Sequence, residues 1–243
     1  MSDPLAVEGV AVRYGGVAAL AGVTFTLRPG QAVGLIGPNG SGKSTLVDVL
    51  SGFRVPDAGR VRLHGRDVTR WGAGRRARSG LARTFQRVAA FGGLTVAEHR
   101  AVALGPTGRP RREGARRAEG LLRAVRIDAG AATPADALPA AERRLLDVAR
   151  ALWTGPGVLV LDEPFAGLDE AQAAALVACL RGCRDDGIAL VLVEHRLAEL
   201  FGVIGRLLVL DGGRLIADGA PREVIGRDEV VRSYQGVAAL APR

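Results

Sequence analysis

Eight residues, Gly37-Pro-Asn-Gly-Ser-Gly-Lys-Ser44, stand between a short apolar run, Gln31 to Ile36, and a helical pattern from Lys43 to Leu50 with Leu46, Val49 and Leu50 on one face. A strand that ends in a glycine-rich loop and turns straight into a helix is the opening unit of an α/β sheet. The glycines let successive backbone N–H groups turn toward one point, and the helix N-terminus adds positive potential there. In the spacing G-x-x-x-x-G-K-[ST], Lys43 reaches terminal phosphates and the Ser44 hydroxyl can ligand Mg²⁺. The composition sharpens this. All other basic residues are arginine, 32 of the 33, and the single lysine is Lys43, so this position calls for a compact point charge in place of a planar fork.

Around that unit the chain alternates strands and helices. Leu5 to Arg13 and Val17 to Leu27 alternate apolar and polar residues about Tyr14-Gly-Gly, which predicts antiparallel strands joined by a turn. Gly59 to His64 reads as a further strand. Val96 to Leu152 is helical in pattern, interrupted by an Arg/Gly/Pro loop from Gly105 to Gly114. Val158 to Leu161 and Ile188 to Val193 are continuous apolar runs, the form of strands buried on both faces, with a helix over Ala171 to Cys183 between them. Strands at Leu207 to Leu210 and Arg214 to Ala217 and a helix from Pro221 complete the series. The order predicts an α/β fold with a mostly parallel core sheet.

A chain of 243 residues that is 48% hydrophobic can bury a substantial core, which excludes a disordered polymer and a disulfide miniprotein. Its longest uncharged stretches, such as Val88 to Ala97, run to about ten residues, half the ~20 a spanning helix needs. The first residues lack a basic n-region and an apolar h-region, and a cytoplasmic location is expected. Cys179 and Cys183, four apart on a predicted helix, read as small buried or half-buried thiols, not a disulfide or metal pair. Charge is uneven. Between Arg54 and Arg126 there are 18 Arg against Asp57, Asp67, Glu98, Glu113 and Glu119, a net of +13 in a chain of +8, so the remainder carries −5. Such a block suits nucleic acid, an anionic membrane face or a solvated, Arg-rich surface, and sequence alone leaves these open. Distance in sequence from the phosphate loop places Arg75, Arg76, Arg78, Arg109, Arg111 and Arg112 on the membrane side or in a solubilising role.

The second half of a phosphate site is a carboxylate at the end of a buried strand, and Val158-Leu-Val-Leu-Asp162-Glu163 supplies it. Asp162 is placed to hold Mg²⁺ and Glu163 to polarise an attacking water. Together with the glycine loop this makes an ATP- or GTP-hydrolysing protein the expected class.

Several further motifs lie in a fixed order, and through them the chain resembles the ATP-binding subunits of ABC transporters over essentially its whole length. The resemblance rests on Tyr14, the loop Gly37, Pro38, Asn39, Gly40, Ser41, Gly42, Lys43, Ser44 and Thr45, Gln86, Asp162-Glu163, Gly167-Leu168-Asp169 and His195. It implies a P-loop NTPase of the ABC type, with an N-terminal antiparallel β subdomain and an inserted α-helical subdomain over 87–152, the β and nucleotide-binding core taking 1–86 and 153–243. It also implies roles: Tyr14 stacks on adenine, Gln86 touches Mg²⁺ and the attacking water, Asp169 communicates with a partner subunit, and His195 contacts the γ-phosphate. The cofactors are ATP and Mg²⁺.

Gly80 to Glu98 and the tail Asp228 to Gly236 are similar to the ATPase subunit of branched-chain amino acid importers, with urea and lipopolysaccharide ATPases as close relatives. The implied partners are permease subunits, a second ATPase subunit (a heterodimer favoured over a homodimer) and, indirectly, an extracytoplasmic binding protein, at the cytoplasmic membrane face. Nucleic acid is not an expected partner, although the Arg block keeps a soluble nucleic-acid-directed ABC-type ATPase as the alternative. The chain departs from the pattern at Leu138-Pro139-Ala140-Ala141-Glu142, where the signature reads Leu-Ser-Gly-Gly-Gln or close to it. Proline fits the first turn of a helix, so that helix is expected to form without the signature's serine hydroxyl.

Overall fold

The computed structural model describes residues 2–85, 93–105, 112–128 and 132–233. In chain order the elements are β1 (Leu5–Tyr14), β2 (Val17–Leu27), β3 (Ala32–Ile36), α1 (Lys43–Ser51), β4 (Ala58–Leu63), β5 (Arg66–Asp67), α2 (Ala73–Arg78), β6 (Leu81–Arg83), α3 (Val96–Leu104) and α4 (Arg112–Ala124). A 3₁₀ turn (Ala135–Ala137) follows, then α5 (Ala140–Trp153), β7 (Val158–Asp162), α6 (Glu170–Asp185), β8 (Ala189–Val193), α7 (Leu197–Val203), β9 (Arg206–Asp211), β10 (Arg214–Gly219), α8 (Pro221–Ile225) and α9 (Asp228–Ser233).

The strands form two sheets. One is antiparallel, in the order β2-β1-β4-β5. The other has six strands in the order β10-β9-β3-β8-β7-β6, parallel throughout except for the terminal β9/β10 hairpin. Every residue of β3, β7 and β8 is buried. The alternation of Cβ direction along a strand sends them to opposite sides. Leu159, Leu161, Leu190 and Leu192 pack with α4, α5, α6 and α7. Val158, Val160, Val191 and Val193 pack with α1 and the antiparallel sheet. The continuous apolar runs are therefore the signature of a sheet covered on both faces, and Cys179 and Cys183 are buried free thiols.

Helix α1 shows how its sequence sets both ends. It starts at Gly42 (φ 106°) and stops at Gly52 (φ 81°), where Phe53 N–H donates to Asp48 O at 2.9 Å in a Schellman turn. Its last carbonyls are capped from elsewhere. The Arg76 guanidinium of α2 donates to Val49 O (2.6 Å), Leu50 O (2.8 Å), Trp71 O (3.0 Å) and Thr69 O (3.0 Å). This corrects one expectation: Arg76 is 0% exposed and structural, not a surface charge, because orphan carbonyls at a buried helix end need donors. Burial pulls it down to about 10, partly offset by Asp67. Arg75 and Arg78 are exposed, with Arg75 stacked on Trp71 at 3.8 Å. Arg109 and Arg111 lie outside the described residues.

The helical stretch is more broken than its pattern predicts. After α4, Arg126 adopts φ 63°, and Ile127 N–H bonds Leu122 O at 2.8 Å. This Schellman stop uses arginine where glycine is usual, so no glycine announces it. A bridge between Thr95 and Pro134 then precedes α5. The sequence reading also passes over α2, α7, α9 and the short strands β5 and β6, which are too brief for a periodic signal. β6 is a strand only because it pairs in parallel with β7 (Leu81 with Val158, Arg83 with Val160).

Arg76→Met should leave the α1 carbonyls without their donors, lowering stability by about 3 kcal/mol and the melting temperature by roughly 6 to 12 °C in calorimetry.

Candidate nucleotide site

Strands β3, β7 and β8 run parallel, so their C-terminal ends deliver three segments to one edge of the sheet, where open α/β sheets bind ligands. The loop after β3, Asp162 and Glu163 at the end of β7, and His195 just beyond β8 line one cavity of about 270 Å³. Tyr14, Ala19, Asn39, Gly40, Gly42, Lys43, Ser44, Thr45 and Val193 complete its wall.

The loop is locked into the sheet. A Cβ on Gly37 (φ 155°) would lie 2.0 Å from Leu210 O, and one on Gly42 would lie 2.4 Å from Ala19 O, so both close approaches require glycine. Lys43 is 8% exposed and its ammonium donates to Gly37 O (2.7 Å) and Pro38 O (2.9 Å). Two of its three donors are thus used within the loop, which leaves one for a phosphate oxygen. Burial lowers its pKa, and the nearby charges of Glu163 and Asp162 push it back up. Ser41 Oγ is buried in the same loop without a hydrogen-bond partner among the described residues. A buried ammonium with one donor to spare on the cavity wall fits an anionic ligand.

Asp162 is 8% exposed. Burial raises its carboxyl above the usual range, the Arg83 guanidinium pulls it down, and Glu163 and Asp48 push it up. Its backbone N–H donates to Thr84 Oγ1 at 3.3 Å. A serine hydroxyl (Ser44) and a desolvated carboxylate on one cavity wall form a hard oxygen donor set that suits Mg²⁺. Glu163 takes φ 49°, a left-handed conformation that a non-glycine residue adopts at a cost. Three bonds hold its backbone: its N–H donates to Val193 O (2.8 Å), and Arg144 of α5 (3.0 Å) and Ala166 N–H (3.2 Å) donate to its carbonyl. His195 is exposed, with Nε2 3.5 Å from Glu163 Oε1. Neighbouring Glu194 is 2% exposed, and its carboxylate accepts from the backbone N–H groups of Phe165 (2.9 Å), His195 (2.6 Å) and Arg196 (3.0 Å). It thereby fixes His195 and the turn after Glu163. Tyr14 is 51% exposed at the end of β1, with the Arg54 guanidinium 5.1 Å from its ring.

A family profile described as ABC transporter matches residues 20–166. The chain belongs to the ABC transporter family. It is 35% identical over 232 residues to a probable ABC transporter ATP-binding protein of Azorhizobium caulinodans, covering 96% of this chain and 83% of that one. It is 33% identical over 255 residues to the high-affinity branched-chain amino acid transport ATP-binding protein BraF of Pseudomonas aeruginosa, covering 98% and 100%. To the sulfate/thiosulfate import ATP-binding protein CysA of Mycolicibacterium paratuberculosis it is 40% identical over 213 residues, covering 87% and 58%. The ADP conformation of an ABC transporter ATP-binding cassette superposes with a TM-score of 0.82 at 29% identity, covering 97% and 100%. This ABC ATP-binding subunit is an ATPase with the fold its sequence predicted.

Within this ABC ATPase the remaining expected site residues fall in three places. Asp169 is exposed and caps α6, accepting from Gln172 N–H at 2.8 Å. Leu138 to Glu142 begin α5, with Pro139 as its N-cap residue instead of the first helical residue, and with no side-chain cap bond. Pro139 O still accepts from Arg143 N–H at 2.9 Å, so the helix survives the substitution. Gln86 lies outside the described residues. The sequence reading assigned no role to Arg83, Arg144 or Glu194: the two arginines are hidden among many, and Glu194 acts only through backbone N–H groups that the fold brings to it.

Lys43→Ala should abolish ATP binding in calorimetry. Glu163→Gln should leave binding intact and slow single-turnover hydrolysis by roughly 10²- to 10⁴-fold, since an amide holds a water but cannot draw its proton.

Proposed function

We propose that the chain is the ATP-hydrolysing subunit of an importer for branched-chain amino acids. It acts at the cytoplasmic membrane face on transmembrane permease subunits and is paired with a second ABC ATPase subunit. An extracytoplasmic binding protein delivers the cargo. One observation carries the substrate: the similarity to the branched-chain amino acid relative runs end to end, over 98% of this chain and 100% of that one. The sulfate relative, although 40% identical, is covered over only 58% of its length. Among the described residues no helix is long and apolar enough to cross a membrane, which supports a peripheral subunit.

In this reading Tyr14 stacks on adenine, the loop from Gly37 to Thr45 cradles the phosphates, and Ser44, Asp162 and Gln86 hold Mg²⁺. The metal, when bound, neutralises charge on the transferring phosphoryl group. Glu163 draws the proton from the attacking water and His195 contacts the γ-phosphate. The residues 87–152 form the helical subdomain, set into a core made of 1–86 and 153–243. An apolar groove of about 410 Å³, walled by Phe53, Ala77, Phe85, Val102 and Ala103, is the proposed seat of an apolar helix of the permease. Uptake of leucine, isoleucine and valine, and not of sulfate, by proteoliposomes holding the assembled transporter tests the substrate. Sulfate uptake would overturn it.

The degenerate signature makes the assembly asymmetric. In ABC ATPases the signature of one subunit closes over the nucleotide of the other. Pro139 and Ala140 are exposed at the start of α5, but Pro139 brings neither hydroxyl nor N–H, and Ala141 adds a Cβ where backbone has to approach phosphate. One or two missing charge-assisted hydrogen bonds, roughly 1.5 to 3 kcal/mol each, slow the partner's site by about tenfold or more. This chain's own Lys43, Ser44, Asp162 and Glu163 are completed by the partner's signature. A heterodimer with one competent and one weakened site follows. Isolated, the chain should hydrolyse ATP feebly, and a Pro139→Ser, Ala141→Gly double variant should raise two-site hydrolysis of the assembled transporter.

A further inference from the structure

Arg83 lies at the junction of the groove and the nucleotide site. It is the last residue of β6, and its side chain is 10% exposed. Nη1 donates to Asp48 Oδ1 at 2.6 Å and to Ser51 Oγ at 3.0 Å, both on α1. Nη2 lies 3.5 Å from Asp162 Oδ2. On its other side the guanidinium carbon sits 4.8 Å from the Phe85 ring centroid and 5.6 Å from that of Phe53, and the two rings meet edge to face. Arg83, Phe53, Phe85 and Ser51 all line the apolar groove. One guanidinium therefore spans from the groove wall to the strand-end carboxylate.

Burying an arginine is costly unless several partners compensate; here both Nη groups are engaged by Asp48, Ser51 and Asp162, while Nε is buried without a hydrogen-bond partner among the described residues. The Asp162 carboxylate faces like charge from Glu163 and Asp48, and Arg83 is the cation that pulls its pKa down. An outer residue that orients a metal-binding carboxylate affects metal affinity without touching the metal.

We propose that Arg83 is a positioning residue that couples the apolar groove to Asp162: the rings on the groove side set the guanidinium, and the guanidinium sets the carboxylate. The proposal rests on the reading of Asp162 as the Mg²⁺ carboxylate. A partner seated against Phe53 and Phe85 then acts on the carboxylate through Arg83, and the nucleotide state acts back on the groove wall through the same ion pair, as reciprocal linkage requires.

Calorimetry of ATP binding to the purified full chain, in Mg²⁺ and in EDTA, tests this without relying on turnover. Arg83→Met and Arg83→Lys should each cut the gain in ATP affinity conferred by Mg²⁺ by roughly 10-fold, with affinity in EDTA unchanged. Asp48→Asn, which removes the guanidinium's anchor on α1, and Phe53→Ala, which removes a ring from the groove side, should shift the gain in the same direction. A larger gain in Arg83→Met would make Arg83 a mere cation competing with the metal. A full gain in Arg83→Lys would make charge alone sufficient, and an unchanged gain in Phe53→Ala would cut the link to the groove. Each of these outcomes overturns the proposal. Should Arg83→Met fail to fold, as judged by its melting curve, Asp48→Asn, whose side chain is 40% exposed, carries the same test. Asp162→Asn is the control: if it keeps the full Mg²⁺ gain, the reading of Asp162 as the metal carboxylate is what fails.

Discussion

Strand β3 is held between β8 and β9 with no side chain reaching solvent, and the polar apparatus of the protein depends on that confinement. A strand buried on both faces cannot slip by one residue without exchanging its two apolar sets. Gly37 therefore emerges at a fixed point, so close to Leu210 O that a side chain has no room. The loop that follows inherits this rigidity, and Lys43 is held by carbonyls of its own loop before any ligand arrives. Precision at the phosphate end of the site is a property of the sheet.

The same edge concentrates buried charge. Lys43, Asp162 and Glu194 are all buried, and each is offset differently. Lys43 is offset by carbonyls and nearby carboxylates, Glu194 by three backbone N–H groups, and Asp162 by the Arg83 guanidinium. Desolvation raises the cost of each isolated charge and strengthens its interaction with a partner. The left-handed turn at Glu163 belongs to the same arrangement: a cost accepted locally, held by bonds from β8 and α5.

Helix α5 connects parts of the protein that the sequence separates widely. Its N-terminus carries the Pro139 and Ala141 departures. One turn later Arg144 holds the carbonyl of Glu163, and Asp147, pushed up by burial and pulled back by Arg150, accepts from Phe85 N–H at 3.4 Å. One helix thus touches both the Glu163 backbone at the end of β7 and Phe85 of the groove wall. Arg83 makes the complementary connection from the groove to Asp162.

Sequence by itself determined the class of fold and the course of the three central strands, and it named Lys43, Ser44, Asp162 and Glu163, which the fold brings to one cavity. Apolar runs and a glycine loop are local patterns with one physical reading each. It also located the departure at Pro139 and Ala141. Tertiary structure alone decided what the arginines do. A composition rich in arginine hides Arg76, which caps the end of α1, and Arg83 and Arg144, which reach carboxylate and carbonyl groups about 80 and 19 residues away. It decided as well that Leu81 to Arg83 is a strand and that Arg126 ends a helix, since neither carries a periodic or glycine signal. Such residues act through groups distant in sequence, and only the packing of the sheet against its helices brings those groups within hydrogen-bonding reach.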